Sequence, residues 1–285
     1  MKWQGGRKSS NVIDRRSSGG RRAAVGGGGL GVLAIVVIGW LLGVDLSPML
    51  GLSGDNQIQS GGGTEITAAD EERAAFAATV LGYTEDVWSE VFRTQVNQPY
   101  QPPKLVLFSG QTDGGACGLA SAATGPFYCP GNRFAYLDTD FFVTLDRRMG
   151  AGGDFAAAYV IAHEVAHHVQ NELGILPQVN RLRAQVGQSE SNALSVRVEL
   201  QADCYAGIWA RHAHERLNVL ERGDIAEAMN AAAQIGDDTL QRQAGGVVRP
   251  DSFTHGSSEQ RQRWFARGLE SGRLEDCDTF GTDRL

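Results

Sequence analysis

The chain has 285 residues, 42% of them apolar and 21% charged, with a formal net charge of −7. That is enough for one core of roughly 220 residues behind an N-terminal extension, and too little for several independent catalytic domains. Residues 1–22 hold seven basic residues against one acid, while the remainder holds 19 basic and 32 acidic residues, so no nucleic-acid partner is expected for the acidic body.

In chain order, residues 1–22 read as a basic cytoplasmic tail. Residues 23–44 carry no charge and run through Leu30, Val32, Leu33, Ile35, Val36, Val37, Ile38 and Trp40 to Leu42. At about 1.5 Å per residue they reach ~33 Å, enough for a hydrocarbon core. They are expected to form one transmembrane helix with the lipid bilayer as partner. The positive-inside rule then gives a single-pass protein of the plasma (inner) membrane, N-terminus cytoplasmic and the rest extracytoplasmic. A cleavable signal peptide is the competitor, disfavoured by the long basic tail and the lack of a small-residue cleavage site. Residues 45–64, rich in Gly and Ser, read as a flexible linker, and residues 65–285 as the catalytic domain.

Within that domain Thr67 and Asp70 start a helix expected to end near Leu81, and Thr84 starts a second with Val87, Trp88, Val91 and Phe92 on its apolar side. Residues 104–109 and 133–138 read as strands, and 140–148 as a short helix before the glycine turn at 150–153. The predicted class is α+β, a mainly helical domain with a small sheet, preceded by one transmembrane helix. Four cysteines allow three pairings. Cys117 with Cys129 is the expected local bridge, leaving Cys204 for Cys277; a zinc site of cysteines is the rival, but none forms CxxC.

Residues 154–174 read as a buried helix with Asp154 as N-cap and Gly174 as its stop. Inside it His163, Glu164 and His167 form HExxH. Histidines four apart project from one helical face and can hold one Zn²⁺, with Glu164 placed to act as general base on a water. The competing reading is a helix with two satisfied core histidines. Gln170 and Leu173 stand where an HExxHxxGxxH enzyme would have Gly and a third His, which excludes that subclass. The best third ligand is Glu199, 32 residues after His167, on a second helix expected over 191–210. Asp203 lies one turn later on the same face, where it can accept the outer N–H of a ligating histidine. A solvated acidic face is a poor alternative beside Leu200, Ala202, Cys204, Tyr205, Ile208 and Trp209. His168 points about 100° from the ligand face and reads as packing, while His212 and His214 sit at a helix end where a cationic ring is favourable.

These stretches resemble the bacterial neutral zinc metallopeptidases, membrane-anchored proteins related in site logic to thermolysin-like gluzincins. The likeness lies in Lys2 to Arg7 with Ser9 to Arg16, in Gly125 to Pro130, in Ala162-His163-Glu164 to Gln170, in Glu199 to Gly207, and in Thr254 to Arg261; Ala166 stands where a small residue is expected. The resemblance implies a zincin-like fold, His163, His167 and Glu199 on one Zn²⁺ per chain, Glu164 in catalysis, and a peptide or protein substrate. Thermolysin-like sites use a late His to stabilise the oxyanion; His255 or Tyr205 are the candidates here, and a structural role at the start of the last helix competes for His255. The expected function is a membrane-anchored zinc metalloendopeptidase. The alternative is a zinc-stabilised, membrane-tethered binding or assembly factor with little turnover, against which Glu164 argues, since zinc binding alone does not need it. A cytosolic protein with an interaction helix at 23–44 is weakened by the charge asymmetry and the cysteine count.

Overall fold

The computed structural model of the chain describes residues 1–17, 66–121 and 124–285. Helix α1 (Ala68–Val91) opens on a capping box: Thr67 Oγ1 accepts from the Asp70 backbone N–H, and Asp70 accepts from that of Thr67. Two of the donors a helix start leaves unpaired are thereby satisfied. The break expected after Leu81 does not occur. Gly82 stays helical because Val80, Leu81, Val87 and Trp88 on either side of it are all buried in one core, which outweighs the ~1 kcal/mol propensity cost of one glycine. A Cβ there would stand 2.5 Å from the Arg7 carbonyl oxygen, so the residue is glycine because residues 1–17 cross the helix at that point.

That crossing segment contains strand β1 (Val12–Asp14), which pairs in parallel with β2 (Lys104–Phe108), Val12 opposite Leu105. The four-stranded sheet has the order β1-β2-β6-β5, with β6 (Phe134–Asp138) parallel to β2 and β5 (Phe127–Cys129) antiparallel to β6. Strands β3 (Gln111–Asp113) and β4 (Leu119–Ser121) form a separate antiparallel pair. The basic residues of the first segment meet acids of the domain: Arg7 Nη2 lies 2.9 Å from Glu85 and 2.7 Å from Asp86, and Arg16 Nη2 lies 3.4 Å from Glu71.

This corrects the membrane reading. A chain crossing a bilayer once between residues 17 and 66 would leave β1 and β2 on opposite sides, yet they are neighbours in one sheet. Among the described residues no helix is long and apolar enough to cross a membrane, and residues 23–44 and 45–64 lie outside the described residues. The transmembrane helix in the expected fold class and the single-pass inner-membrane placement are therefore withdrawn. The positive-inside rule takes unbalanced arginines as a topology signal, whereas Arg7 and Arg16 are balanced through tertiary contacts that local sequence does not reveal.

Short helix α2 (Phe141–Arg147) leads to α3 (Asp154–Glu172), the central element, whose Phe155, Ala158, Tyr159, Ala162, Val165, Ala166 and Val169 are fully buried. Its N-cap is Gly153, not Asp154; Asp154 sits in the first turn and accepts from the Met1 amino group at 2.6 Å. Helix α4 (Ile175–Arg183) follows Gly174 directly. Helix α5 (Gln188–His212) packs on α3 and, most extensively, on α8 (Ser258–Ser271), with α6 (Asp224–Gln234) and α7 (Asp237–Gln243) alongside. The α5–α8 backbones touch: a Cβ on Gly207 would lie 2.1 Å from the Phe265 carbonyl oxygen, and one on Gly268 1.8 Å from that of Cys204. Cys117 is bonded to Cys129, and Cys204 to Cys277, the latter tying the chain after α8 to α5.

Candidate metal centre

Helices α3 and α5 cross so that the donor atoms of His163, His167 and Glu199 lie within 4.8 Å of one another. His163 Nε2 is 3.1 Å from Glu199 Oε2 and His167 Nε2 is 3.5 Å from Glu199 Oε1, with the two rings edge to face. Ligands about 2.0–2.1 Å from a tetrahedral zinc stand about 3.3 Å apart. Both histidine–glutamate separations lie within about 0.2 Å of that figure, and two imidazoles and one carboxylate are a donor set zinc accepts.

The outer ring nitrogens are engaged elsewhere. His163 Nδ1 donates to Asp203 Oδ1 at 2.9 Å, and Asp203 has no exposed surface. Its carboxylate also accepts from Tyr159 Oη at 2.5 Å and from Arg261 through two bonds, Nε to Oδ2 at 2.9 Å and Nη2 to Oδ1 at 3.0 Å. His167 Nδ1 faces Gln170 Oε1 at 2.8 Å. Sequence reasoning reached Asp203 but missed Tyr159, Gln170 and Arg261. Tyr159 and Gln170 stand four before His163 and three after His167, so a polar stripe along one face of α3 was a readable signal. Arg261, 58 residues from Asp203, needed the tertiary fold.

Burial opposes charge on His163, Glu164, Glu199 and Asp203, and ionic partners overcome it at three of them. His163 would be neutralised by burial, but Asp203 and Glu199 raise it to about 10. Against the same desolvation, Glu199 is held well below the usual carboxylate range by His167 and His163, and Asp203 is lowered by Arg261 and His163. Glu164 goes the other way: burial raises it despite His167 and His163 nearby. It borders a narrow, largely apolar cavity with Pro126, Tyr136, Val160 and Val165.

His168 turns from this centre. Its Nε2 lies 2.6 Å from the Gln101 carbonyl oxygen, which can only accept, so Nε2 carries the hydrogen and Nδ1 accepts from Tyr128 Oη at 3.0 Å. Burial lowers its pKa to about 4. The unfolded chain, titrating near 6.5, therefore takes up a proton that the folded one refuses, and stability present above pH 6.5 falls by about 3 kcal/mol as pH drops through 6.5 to 4. Ring NMR of the folded protein should show His168 neutral at pH 5; a ring that titrates near 6.5 would contradict this.

The two oxyanion candidates separate. Tyr205 is 2% exposed and packs edge-on against Trp88, its position on α5 pointing into the core. His255 keeps about a third of its side chain exposed, with Nδ1 3.1 Å from Asp237 Oδ1. Asp237 Oδ2 accepts the backbone N–H groups of Thr254, His255 and Gly256, which fixes the loop before α8. Against burial, Asp237 and Glu199 raise the His255 pKa. His212 Nε2 lies 3.1 Å from the Gly272 carbonyl oxygen and closes the helix end.

A family described as "Putative neutral zinc metallopeptidase" matches residues 1–280. The chain is 47% identical to "Uncharacterized protein YpfJ" of Escherichia coli (strain K12) over 289 residues, 99% of each chain. It is also 47% identical to "Uncharacterized protein Rv2575" of Mycobacterium tuberculosis (strain ATCC 25618 / H37Rv) over 196 residues, 65% of each chain. No solved structure matches.

Proposed function

The chain belongs to the neutral zinc metallopeptidase family, and we propose that it hydrolyses peptide bonds at one zinc ion held by His163, His167 and Glu199, with Glu164 as general base. The observation that carries this reading is the convergence of three donor atoms within 4.8 Å, with both histidines' Nδ1 atoms engaged outward and Glu164 adjacent on the same helix. Zinc, when bound, supplies a Lewis acid that polarises the scissile carbonyl and lowers the pKa of a water in its open position toward ~7.

Glu164 takes the proton of the attacking water and returns it to the leaving amine. Its burial, which favours the protonated carboxyl, suits a group that must hold a proton between the two steps. His255, with Nδ1 turned to Asp237, has Nε2 left to donate to the oxygen that gains charge as the carbonyl is attacked. Asp203, backed by Arg261 and Tyr159, keeps the hydrogen of His163 on Nδ1 and its lone pair on Nε2. Glu164 also favours turnover over a zinc-stabilised binding factor, because the three ligands suffice for binding.

The test is metal removal. Hydrolysis of a mixed peptide library should stop on chelation and return with one equivalent of Zn²⁺. Stoichiometric zinc with no cleavage of any peptide would favour the binding factor, and cleavage that ignores chelation would overturn the metal mechanism.

A further inference from the structure

The two histidines of the centre have outer partners of different kinds: His163 has an ionised carboxylate, His167 a neutral amide. The amide's orientation follows from the groups around it. Gln170 Nε2 lies 2.8 Å from the Val198 carbonyl oxygen and 3.0 Å from Gln201 Oε1. A carbonyl oxygen accepts and never donates, so the atom facing Val198 is the nitrogen. Gln201 is fixed the same way, since its Nε2 lies 3.0 Å from the Cys277 carbonyl oxygen, which leaves Gln201 Oε1 to accept from Gln170. Both hydrogens of the Gln170 amide are then used, and its Oε1 is the atom 2.8 Å from His167 Nδ1. An acceptor at that place requires an N–H on Nδ1.

Gln170 has no exposed surface, Gln201 4% and Cys277 none. Turning either amide over would set oxygen against oxygen where no water can compensate, at about 1–3 kcal/mol for each group left unpaired. Cys277 is in turn bonded to Cys204 on α5, so the far end of the chain of bonds is pinned covalently to the helix that carries Glu199.

We propose that Gln170 is the positioning residue of His167. Through Val198, Gln201 and the disulfide-held Cys277 carbonyl, it fixes the ring with hydrogen on Nδ1 and the lone pair of Nε2 directed at the metal centre. The inference rests on the metallopeptidase reading for its consequence, and on hydrogen-bond polarity alone for the tautomer. Gln170 touches neither substrate nor metal; it acts through His167.

The test uses the full chain and two readouts. In the wild type, with and without zinc, ¹⁵N-resolved ring NMR should show a hydrogen on His167 Nδ1. Gln170→Leu should give a tautomer mixture and bind Zn²⁺ about 10–100-fold more weakly in competition with a chelator. Gln170→Glu, which keeps an acceptor for Nδ1, should restore the single tautomer even if it loses stability beside the Val198 carbonyl. If Gln170→Leu does not fold, the flexible Gln170→Met carries the same test, because it fills the space and offers Nδ1 no oxygen acceptor. A single Nδ1–H tautomer with wild-type zinc affinity in the folded leucine variant overturns the proposal. A wild type that binds no zinc, yet loses its tautomer on Gln170→Leu, would overturn the metal reading and leave the positioning role standing.

Discussion

Glu164→Gln is expected to bind zinc as the wild type does and to lose about 10²–10⁴-fold in peptide hydrolysis. The amide is nearly isosteric and leaves the donor atoms of His163, His167 and Glu199 in place. What it removes is the only function assigned to the carboxylate, taking a proton and giving it back. Glu164 is suited to that exchange because burial raises its pKa, which favours holding the proton, while His163 and His167 oppose the shift. Measuring zinc content and turnover on the same preparation separates base from ligand. A variant that cleaves at the wild-type rate with zinc bound would remove Glu164 from the mechanism.

Arg261→Met should have the largest effect on stability, about 3–5 kcal/mol. Asp203 is fully buried, and Arg261, 2% exposed, supplies both arms of a bidentate contact to it. Without the guanidinium a buried carboxylate keeps only His163 and Tyr159 as partners, and Tyr159 itself loses the Arg261 Nη2 contact at 3.3 Å. Lysine at this position should recover little, since a single ammonium cannot match both carboxylate oxygens. Urea unfolding of the metal-free protein is the measurement. A loss below ~1 kcal/mol would mean that Asp203 finds another partner or is neutral.

Much of the site was legible because it is written in helical periodicity. HExxH sets two rings on one face, and Glu199 and Asp203 repeat that one-turn spacing on a second helix, so the metal trio and one outer partner could be named before any packing was known. The short separation of 12 between Cys117 and Cys129 and the capping box at Thr67 are also local signals. The rest depends on contacts between distant segments. Gly82 looks like a helix breaker until the Arg7 carbonyl that crosses it is seen, and β1 is too short to read as a strand without its partner β2. Arg7 and Arg16 look like a topology signal only while Glu85, Asp86 and the sheet are out of view. Tyr205 lies on the same helix as Glu199, and only the packing of α1 shows that it meets Trp88.

The most direct measurement is X-ray absorption at the zinc edge on the protein with one equivalent of Zn²⁺. One zinc per chain bonded to nitrogen and oxygen only, with two imidazoles and one carboxylate lost in turn from His163→Ala, His167→Ala and Glu199→Ala, is the result this account predicts. Zinc that binds equally well to all three variants, or that shows sulfur in its shell, would place the metal elsewhere and contradict it.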